Sequence, residues 1–494
     1  MLFEVDQSLP VCRQIYQAIR LKILNGQMPA GGKVPSSRSL AKELGISRNT
    51  VTIAYEILTS EGYLISSQGA GTYIAPMPES FFGSQLASKM APHRTSQPHP
   101  RLSDYSKNLG NASAEPPNLE TKKNVTAKYD FRHGHPAIDV LSHRIWRHIV
   151  QQHAARFTLE QVSYGPPQGH PALRAAIMRY LRDRRGVECE QDEIVIVNGS
   201  QQALDLLGRI LVNPGDAVVV EEPCYPGTRQ ALTGLGAKVH SVPVDNEGLI
   251  TRDLASLPGP VRLICVTPSH QYPTGSVMPL KRRLELIAFA RKVGAYIIED
   301  DYDSEFRYGA RPEQSVQGLE SGDRVVYVGT FSKVLFPALR LGYVVLPKTL
   351  VEPFVIAKSV TDRYTATFFQ GVVADFIAEG HFERHLRRVR VQMHERRDAL
   401  VDALHTSFHG KVRISGESAG LHLLAWFPDI SRASLEAGIR RASAAGVAVY
   451  SVDPCYAVRP RTGGLVMGFA SMAPEVIREG IQRLSRSLTA ANGK

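Results

Sequence analysis

Residues 326–345 read VYVGTFSKVLFPALRLGYVV, an apolar, β-rich run that carries one lysine, Lys333, and one arginine, Arg340. An ammonium set in such a run asks for a chemical reason. Working outward, short β-branched runs alternate with helical ones: EIVIVNGSQQALDLLGRIL, AVVVEEPCYPGTRQAL, VRLICVTPS and AYIIEDDYDS. Strand and helix in turn predict a large α/β domain, residues 129–494, built on a mainly parallel sheet covered on both faces.

Upstream the pattern changes. Residues 1–75 are dense in helical periodicity. Val11, Ile15, Ile19 and Ile23 mark one face of a first helix. PSSRSLAKELG gives a second, with a serine cap and a closing Gly45. Ser47 caps a third, in which Val51, Ala54, Tyr55 and Leu58 face inward and Arg48, Asn49 and Thr50 are exposed in the first turn. YLISSQGAGTYIA then reads as a two-stranded hairpin. Two helices across a short Gly turn, the second opening on polar side chains, suit a helix-turn-helix entering a DNA major groove, with the hairpin as a wing. A small α+β bundle with no ligand is the plainer alternative. Residues 76–128 are rich in Pro, Ser, Asn and Lys, and predict a flexible linker.

With 494 residues, 43% hydrophobic and 21% charged, the chain has room for several domains and a sizeable core. The net charge of +11 allows a polyanionic partner. Five scattered cysteines, none in a CxxC pair, point to reduced thiols in a cytoplasmic protein and away from a zinc site or disulfide framework. No apolar run is long enough to span a bilayer, and the first twenty residues are no signal peptide.

An aldehyde cofactor needs an amine to hold it, an acid to keep a ring nitrogen protonated, and a cradle for a phosphate. Lys333 is the candidate amine. Asp300 ends the apolar strand AYIIED, at the edge of the sheet where site residues gather. Gly199, Ser200 and Gln201 form a strand-to-helix turn, a natural anion site, and Ser332 and Arg340 can reach the same phosphate. Each has a plainer reading: a solvated loop lysine, an ordinary helix cap, an acidic loop. Their order along the chain carries more weight than any one of them.

That order resembles the fold-type I aminotransferases, which bind pyridoxal 5'-phosphate (PLP). PSSRSLAKELGISRNTVTIAYEILTSEGYLISSQGAGTYI resembles the winged helix of GntR-family regulators. Together they resemble the MocR subfamily, over the whole chain except the linker. SYGPPQGHPALR, VNGSQQALDLL, EEPCYPG, TPSHQYPTG, IIEDDYDSEFRY and GTFSKVLFPALRLGY carry the likeness. The resemblance implies that Lys333 holds PLP as a Schiff base. Asp300 would pair with the ring nitrogen, Tyr302 would bond the ring oxygen and Tyr225 would stack on the ring. Gly199, Ser200, Gln201, Ser332 and Arg340 would hold the phosphate. Tyr164 would reach the phosphate of a second subunit, which implies a domain-swapped homodimer. Arg38, Arg48, Asn49, Thr50 and Gly69 would form the face toward promoter DNA.

The chain also departs from that pattern. Tyr272, after His270 and Gln271, stands where catalytic aminotransferases usually have an asparagine. Val466 occupies the position of the arginine that grips the substrate α-carboxylate. Arg459 and Arg461 are nearby candidates to replace it. Gly227 replaces an arginine of the GABA-responsive type, so GABA is not the expected effector. His270, Tyr272, Arg459 and Arg461 are therefore the candidate effector contacts. The expected function is a PLP-dependent, DNA-binding transcription regulator that senses a small amine or amino acid, with at most weak transamination. The alternatives are a working aminotransferase with a DNA anchor and a sensor of PLP itself that governs vitamin B6 supply.

Overall fold

The protein's structure, a computed structural model, describes residues 9–67, 71–76, 101–112, 127–156, 158, 163–308, 314–320 and 323–489. It divides into two compact units at Arg101–Leu102.

The first unit holds helices α1 (Val11–Leu24), α2 (Ser37–Leu44) and α3 (Arg48–Ser60), then strands β1 (Leu64–Ser67) and β2 (Gly71–Ile74). The caps are those the sequence suggests. Ser36 Oγ accepts the Ser39 N–H at 3.1 Å, Gly45 closes α2 at φ 67°, and Ser47 Oγ accepts the Asn49 N–H at 3.2 Å. The α3 residues Val51, Ala54, Tyr55 and Leu58 are buried against Ile15, Ile19 and Ile23. Tyr55 anchors its far end by donating to the Pro35 carbonyl at 2.8 Å. On α1 the expected stripe shifts: Val11 is exposed, and Gln14 is buried instead, donating to the Leu9 carbonyl at 2.7 Å. The first turn of α1 thus lies beyond the core it packs on. β1 and β2 pair antiparallel, Leu64 opposite Ile74.

The stretch read as a linker is not without regular structure. Helix α4 (Asp104–Ala112) forms within it and belongs to the second unit. Asn108 Nδ2 donates to the Gly234 carbonyl at 3.4 Å. A Cβ on Gly234 would stand 3.0 Å from both Leu109 and Tyr105, so glycine there lets α4 lie close. Polar composition hid two apolar residues, Tyr105 and Leu109, spaced four apart on one helical face.

After α4 the second unit continues with β3 (Tyr129–Asp130), α5 (His143–Ala155) and α6 (Pro171–Arg185). Its main sheet has eight strands: β4 (Ile194–Val197), β5 (Ala217–Glu222), β6 (Lys238–Asp245), β7 (Gly248–Leu249), β8 (Val261–Val266), β9 (Tyr296–Asp301), β10 (Val325–Thr330) and β11 (Gly342–Val345). The order is β4-β11-β10-β9-β8-β5-β6-β7. β10, β9, β8, β5 and β6 run parallel, while β11 is antiparallel to both its neighbours. The central strands are buried on both faces, which is why they read as unbroken Val/Ile runs. Covering helices include α7 (Ser200–Leu211), α8 (Pro226–Gly234), α9 (Leu280–Val293), α10 (Lys348–Asp362), α11 (Thr367–Ala378) and the long α12 (His381–Ser407). A second, four-stranded antiparallel sheet joins β12 (Arg413–Ser415), β13 (His422–Trp426), β15 (Tyr450–Ser451) and β16 (Gly464–Gly468) in the order β12-β13-β16-β15. β14 (Val447–Ala448) pairs parallel with β3, and α13 (Arg432–Ala444) and α14 (Pro474–Thr489) pack beside it.

Candidate functional site

The chemistry-bearing residues of the large unit follow the carboxyl ends of the parallel strands. Gly199 follows β4, Tyr225 follows β5, His270 and Tyr272 follow β8, Asp300 lies at the end of β9, and Lys333 follows β10. A parallel sheet gathers them at one edge although they span over a hundred positions.

Lys333 is half-buried, and its Nζ donates to the carbonyl oxygen of Gly134 at 2.9 Å. Burial lowers its pKa, against the pull of Asp303 and Asp300. A lysine so placed gives up its proton more readily and becomes a nucleophile. Asp300 lies the other way: burial and the neighbouring Asp301 charge push its carboxyl up to about 7, with Lys333 opposing. Its Oδ1 is shielded from solvent and has no hydrogen-bond partner among the described residues. Asp301, next in sequence, is a framework residue. Its burial is outweighed by Arg185, with Nη2 at 2.6 Å, and by hydroxyls from Tyr327 and Ser304, so its pKa falls.

The turn after β4 is built for an anion. Gly199 caps α7 at φ 91°, a conformation that favours glycine. Arg340 adopts φ 51° and places its guanidinium against Gly199, donating to the Asn198 carbonyl at 2.6 Å. Asp362 on α10 holds the Asn198 amide at 2.7 Å and Lys358 at 2.9 Å, bracing the turn. Ser200 opens α7, and Gln201 donates to the Gly227 carbonyl at 3.1 Å. The Ser332 N–H bonds Thr330 Oγ1 at 3.1 Å.

A cluster of aromatic rings is centred on Tyr272. Tyr272 meets Tyr225 edge to face at 5.9 Å and Tyr302 at 6.0 Å, and stands 5.8 Å from His133. The Tyr302 hydroxyl lies 3.0 Å from His270 Nδ1, which is 3.0 Å from Asp303 Oδ2. Facing a carboxylate, Nδ1 carries the proton, so Tyr302 oxygen accepts a share of that N–H and keeps its own proton to donate.

His270 is only 2% exposed and stands behind Tyr302, whose hydroxyl it meets through Nδ1. Arg459 and Arg461 are exposed on the loop before β16. Tyr164 is 88% exposed, with Tyr364 edge to face at 6.0 Å. In the small unit Arg38, Arg48 and Asn49 are exposed and Thr50 is half-buried, while Gly69 lies outside the described residues.

Sequence reasoning missed Gly134, His133, Asp303, His422 and Glu221. Burial and the Lys333 charge push His133 down to about 4. His422 is held well below the usual range by burial and by His270. Glu221 is pushed up to about 7 by burial, against hydrogen bonds from Thr267 and Gln271. His270, Asp303 and His422 each bring a metal-ligand-type atom within 4.8 Å of the others. The one available signal was the glycine-bearing turn RHGHP just after β3.

Comparison with known proteins agrees with this architecture. Residues 139–484 match the family described as aminotransferase class I and II, and residues 12–74 match the bacterial regulatory proteins of the gntR family. The chain is 36% identical to the probable rhizopine catabolism regulatory protein MocR of Rhizobium meliloti, over 99% of this chain and 96% of that protein. It is 30% identical to the pyridoxine biosynthesis transcriptional regulator PdxR of Corynebacterium glutamicum, over 98% and 96%. The α-aminoadipate aminotransferase LysN of Thermus thermophilus, solved with N-(5'-phosphopyridoxyl)-L-leucine, is 28% identical with a TM-score of 0.71, covering 79% of this chain and 97% of that one.

Fold and site therefore define a DNA-binding regulator built on a PLP-binding aminotransferase domain. The chain belongs to the MocR-type regulators of the GntR family. Its residues fit that cofactor: an orphaned carboxyl oxygen for a ring nitrogen, an anion turn at a helix start, and a lysine of lowered pKa.

Proposed function

We propose that this regulator senses a small amine or amino acid at Lys333 and transmits the event to promoter DNA through its winged helix. The observation that carries the reading is the placing of Lys333, with its weakened ammonium against the Gly134 carbonyl, in the same site as the partnerless oxygen of Asp300. When bound, PLP supplies an aldehyde that exchanges reversibly between primary amines. Lys333 offers the resident amine. Asp300 would hold the ring nitrogen and its proton. Gly199, Ser200, Gln201, Ser332 and Arg340 would hold the phosphate, Tyr225 would stack on the ring, and Tyr302 would donate to the ring oxygen. Tyr272 would close the space beside the ring and limit water. Arg38, Arg48, Asn49, Thr50 and Gly69 would meet DNA.

The working form is a homodimer in the cytoplasm. Tyr164, Ile356, Val360 and Phe369 are large apolar or aromatic side chains left exposed on the large unit, and a second copy is the natural cover for them. Tyr164 of one copy would reach the phosphate of the other. An effector shifts a pre-existing balance between domain arrangements only if it binds one of them more tightly.

The test is a titration of the PLP-loaded protein with a panel of amines and amino acids, following the visible spectrum and promoter affinity in the same samples. A compound that moves both supports the reading. If PLP alone changes promoter affinity and no amine does, the protein is a sensor of PLP. Sustained keto-acid production from an ordinary amino acid, at roughly 1–1000 per second, would make it an aminotransferase with a DNA anchor.

A further inference from the structure

Behind the turn that holds the phosphate in the reading above stands a carboxylate that needs a reason. Asp362 is the last residue of α10. A negative charge there is set against the partial negative charge at the carbonyl end of its own helix. Lys358, one turn earlier and fully buried, donates to both Asp362 oxygens at 2.9 Å. Lysine before acid is the weaker order for such a pair on a helix. An ion pair drawn out of water is also weak support for a fold by itself.

The other bonds of Asp362 leave its helix. Its Oδ2 accepts from Asn198 Nδ2 and from Gln202 Nε2, each at 2.7 Å. Gln202 Oε1 in turn accepts the Asn198 N–H at 2.7 Å, which closes a ring of three residues. Arg340 donates to the Asn198 carbonyl at 2.6 Å. The backbone N–H, the carbonyl and the side-chain amide of Asn198 are thus all held, and the next residue is Gly199, the cap of α7. The N–H groups that open α7 are therefore oriented before any anion arrives. Binding to a turn already in order loses none of its free energy to ordering it.

Resting on the reading that this turn and Arg340 take the phosphate of PLP, we propose that Asp362 is a positioning residue for that phosphate. It acts through Asn198 and Gln202 rather than on the cofactor. It sets how strongly the site prefers a phosphate ester to the same ring with a free hydroxyl.

The test compares two ligands on full-length protein stripped of PLP: PLP itself, and pyridoxal, the same aldehyde without the phosphate. Absorbance of the bound ligand gives both affinities. Asp362→Ala is expected to weaken PLP binding about ten-fold and to leave pyridoxal binding within about two-fold of wild type. A residue that only holds the fold together would weaken both alike. If Asp362→Ala does not fold, because Lys358 has lost its partner, Asn198→Ala cuts the same link and keeps that pair; it is expected to show the same selective loss. Equal loss for the two ligands, or no loss for either, overturns the proposal and leaves the phosphate turn standing. Wild-type protein that binds pyridoxal as tightly as PLP overturns the reading of the turn, and the proposal with it.

Discussion

The Nζ of Lys333 donates to the carbonyl oxygen of Gly134 at 2.9 Å, joining residues 199 positions apart. Gly134 has φ 80°, and a Cβ on it would stand 2.6 Å from that nitrogen. Its backbone thus roofs the lysine with no atom to spare. Gly134→Ala adds the strain of a left-handed residue, about 1–2 kcal/mol, and displaces the amine. PLP affinity is expected to fall about ten-fold, read by equilibrium dialysis, with a changed visible spectrum. Wild-type affinity and spectrum in this variant would show that the contact does not matter.

Lys333→Ala should leave no lysine to hold the cofactor covalently. After borohydride treatment and digestion, wild-type protein is expected to carry phosphopyridoxyl on the Lys333 peptide and the variant none. A label on any other lysine in wild-type protein defeats the assignment.

Asp300 gives a pH dependence whose sign is fixed. Its carboxyl rises from the ordinary 3.8 to about 7 in the folded, cofactor-free site because burial disfavours its charge. The folded chain therefore binds more protons than the unfolded one between those values, and this group subtracts stability as pH rises through that window. Asp300→Asn removes the charge. Without PLP, the variant should exceed wild type by on the order of 4 kcal/mol at pH 8 and match it near pH 4. Urea denaturation at both pH values checks this, and an equal difference at the two would contradict it.

His270 supports two groups at once. Asp303 accepts from its Nδ1 and from the Leu421 N–H at 3.3 Å, while Tyr302 shares the same nitrogen. His270→Phe leaves a buried carboxylate short of a donor, a loss of about 1–3 kcal/mol in urea unfolding. It should also alter the spectrum of bound PLP through Tyr302. A variant of lowered stability and unaltered spectrum would confine His270 to a structural role.

Arg48 is exposed at the start of α3, its Nε 3.4 Å from Ser37 Oγ. Arg48→Ala should weaken promoter binding by about 1–3 kcal/mol if the side chain reads a guanine, and leave the PLP spectrum as it is. Anisotropy and absorbance on one preparation measure both. A lost PLP spectrum would mean that the two functions are not separable.

Much of this was legible because local rules decide it. Ser36 and Ser47 are caps by composition alone, and the buried face of α3 follows from helical spacing. The strand-end positions of Asp300 and Lys333 follow from apolar runs that stop abruptly. What stayed hidden depends on distant pairing. Nothing near His422 in sequence points to His270, yet their rings lie 5.0 Å apart because β13 belongs to another sheet. Gly134 meets Lys333 only after the chain has closed over the main sheet. Val466 was legible as a departure, but its burial with Leu424 in the core cluster of the smaller sheet was not.

Docking of α4 on the large unit sets the length of the leash. Between Ile74 and Asp104 lie roughly 30 residues, which even fully extended reach no more than about 100 Å. A tether running on to Tyr129 would reach nearly twice as far. At about 3.4 Å per base pair, the shorter leash corresponds to roughly 30 base pairs of duplex. Because α4 packs beside Gly234, residues 104–112 belong to the large unit, and only the residues between Ile74 and Asp104 are left to join it to the small one.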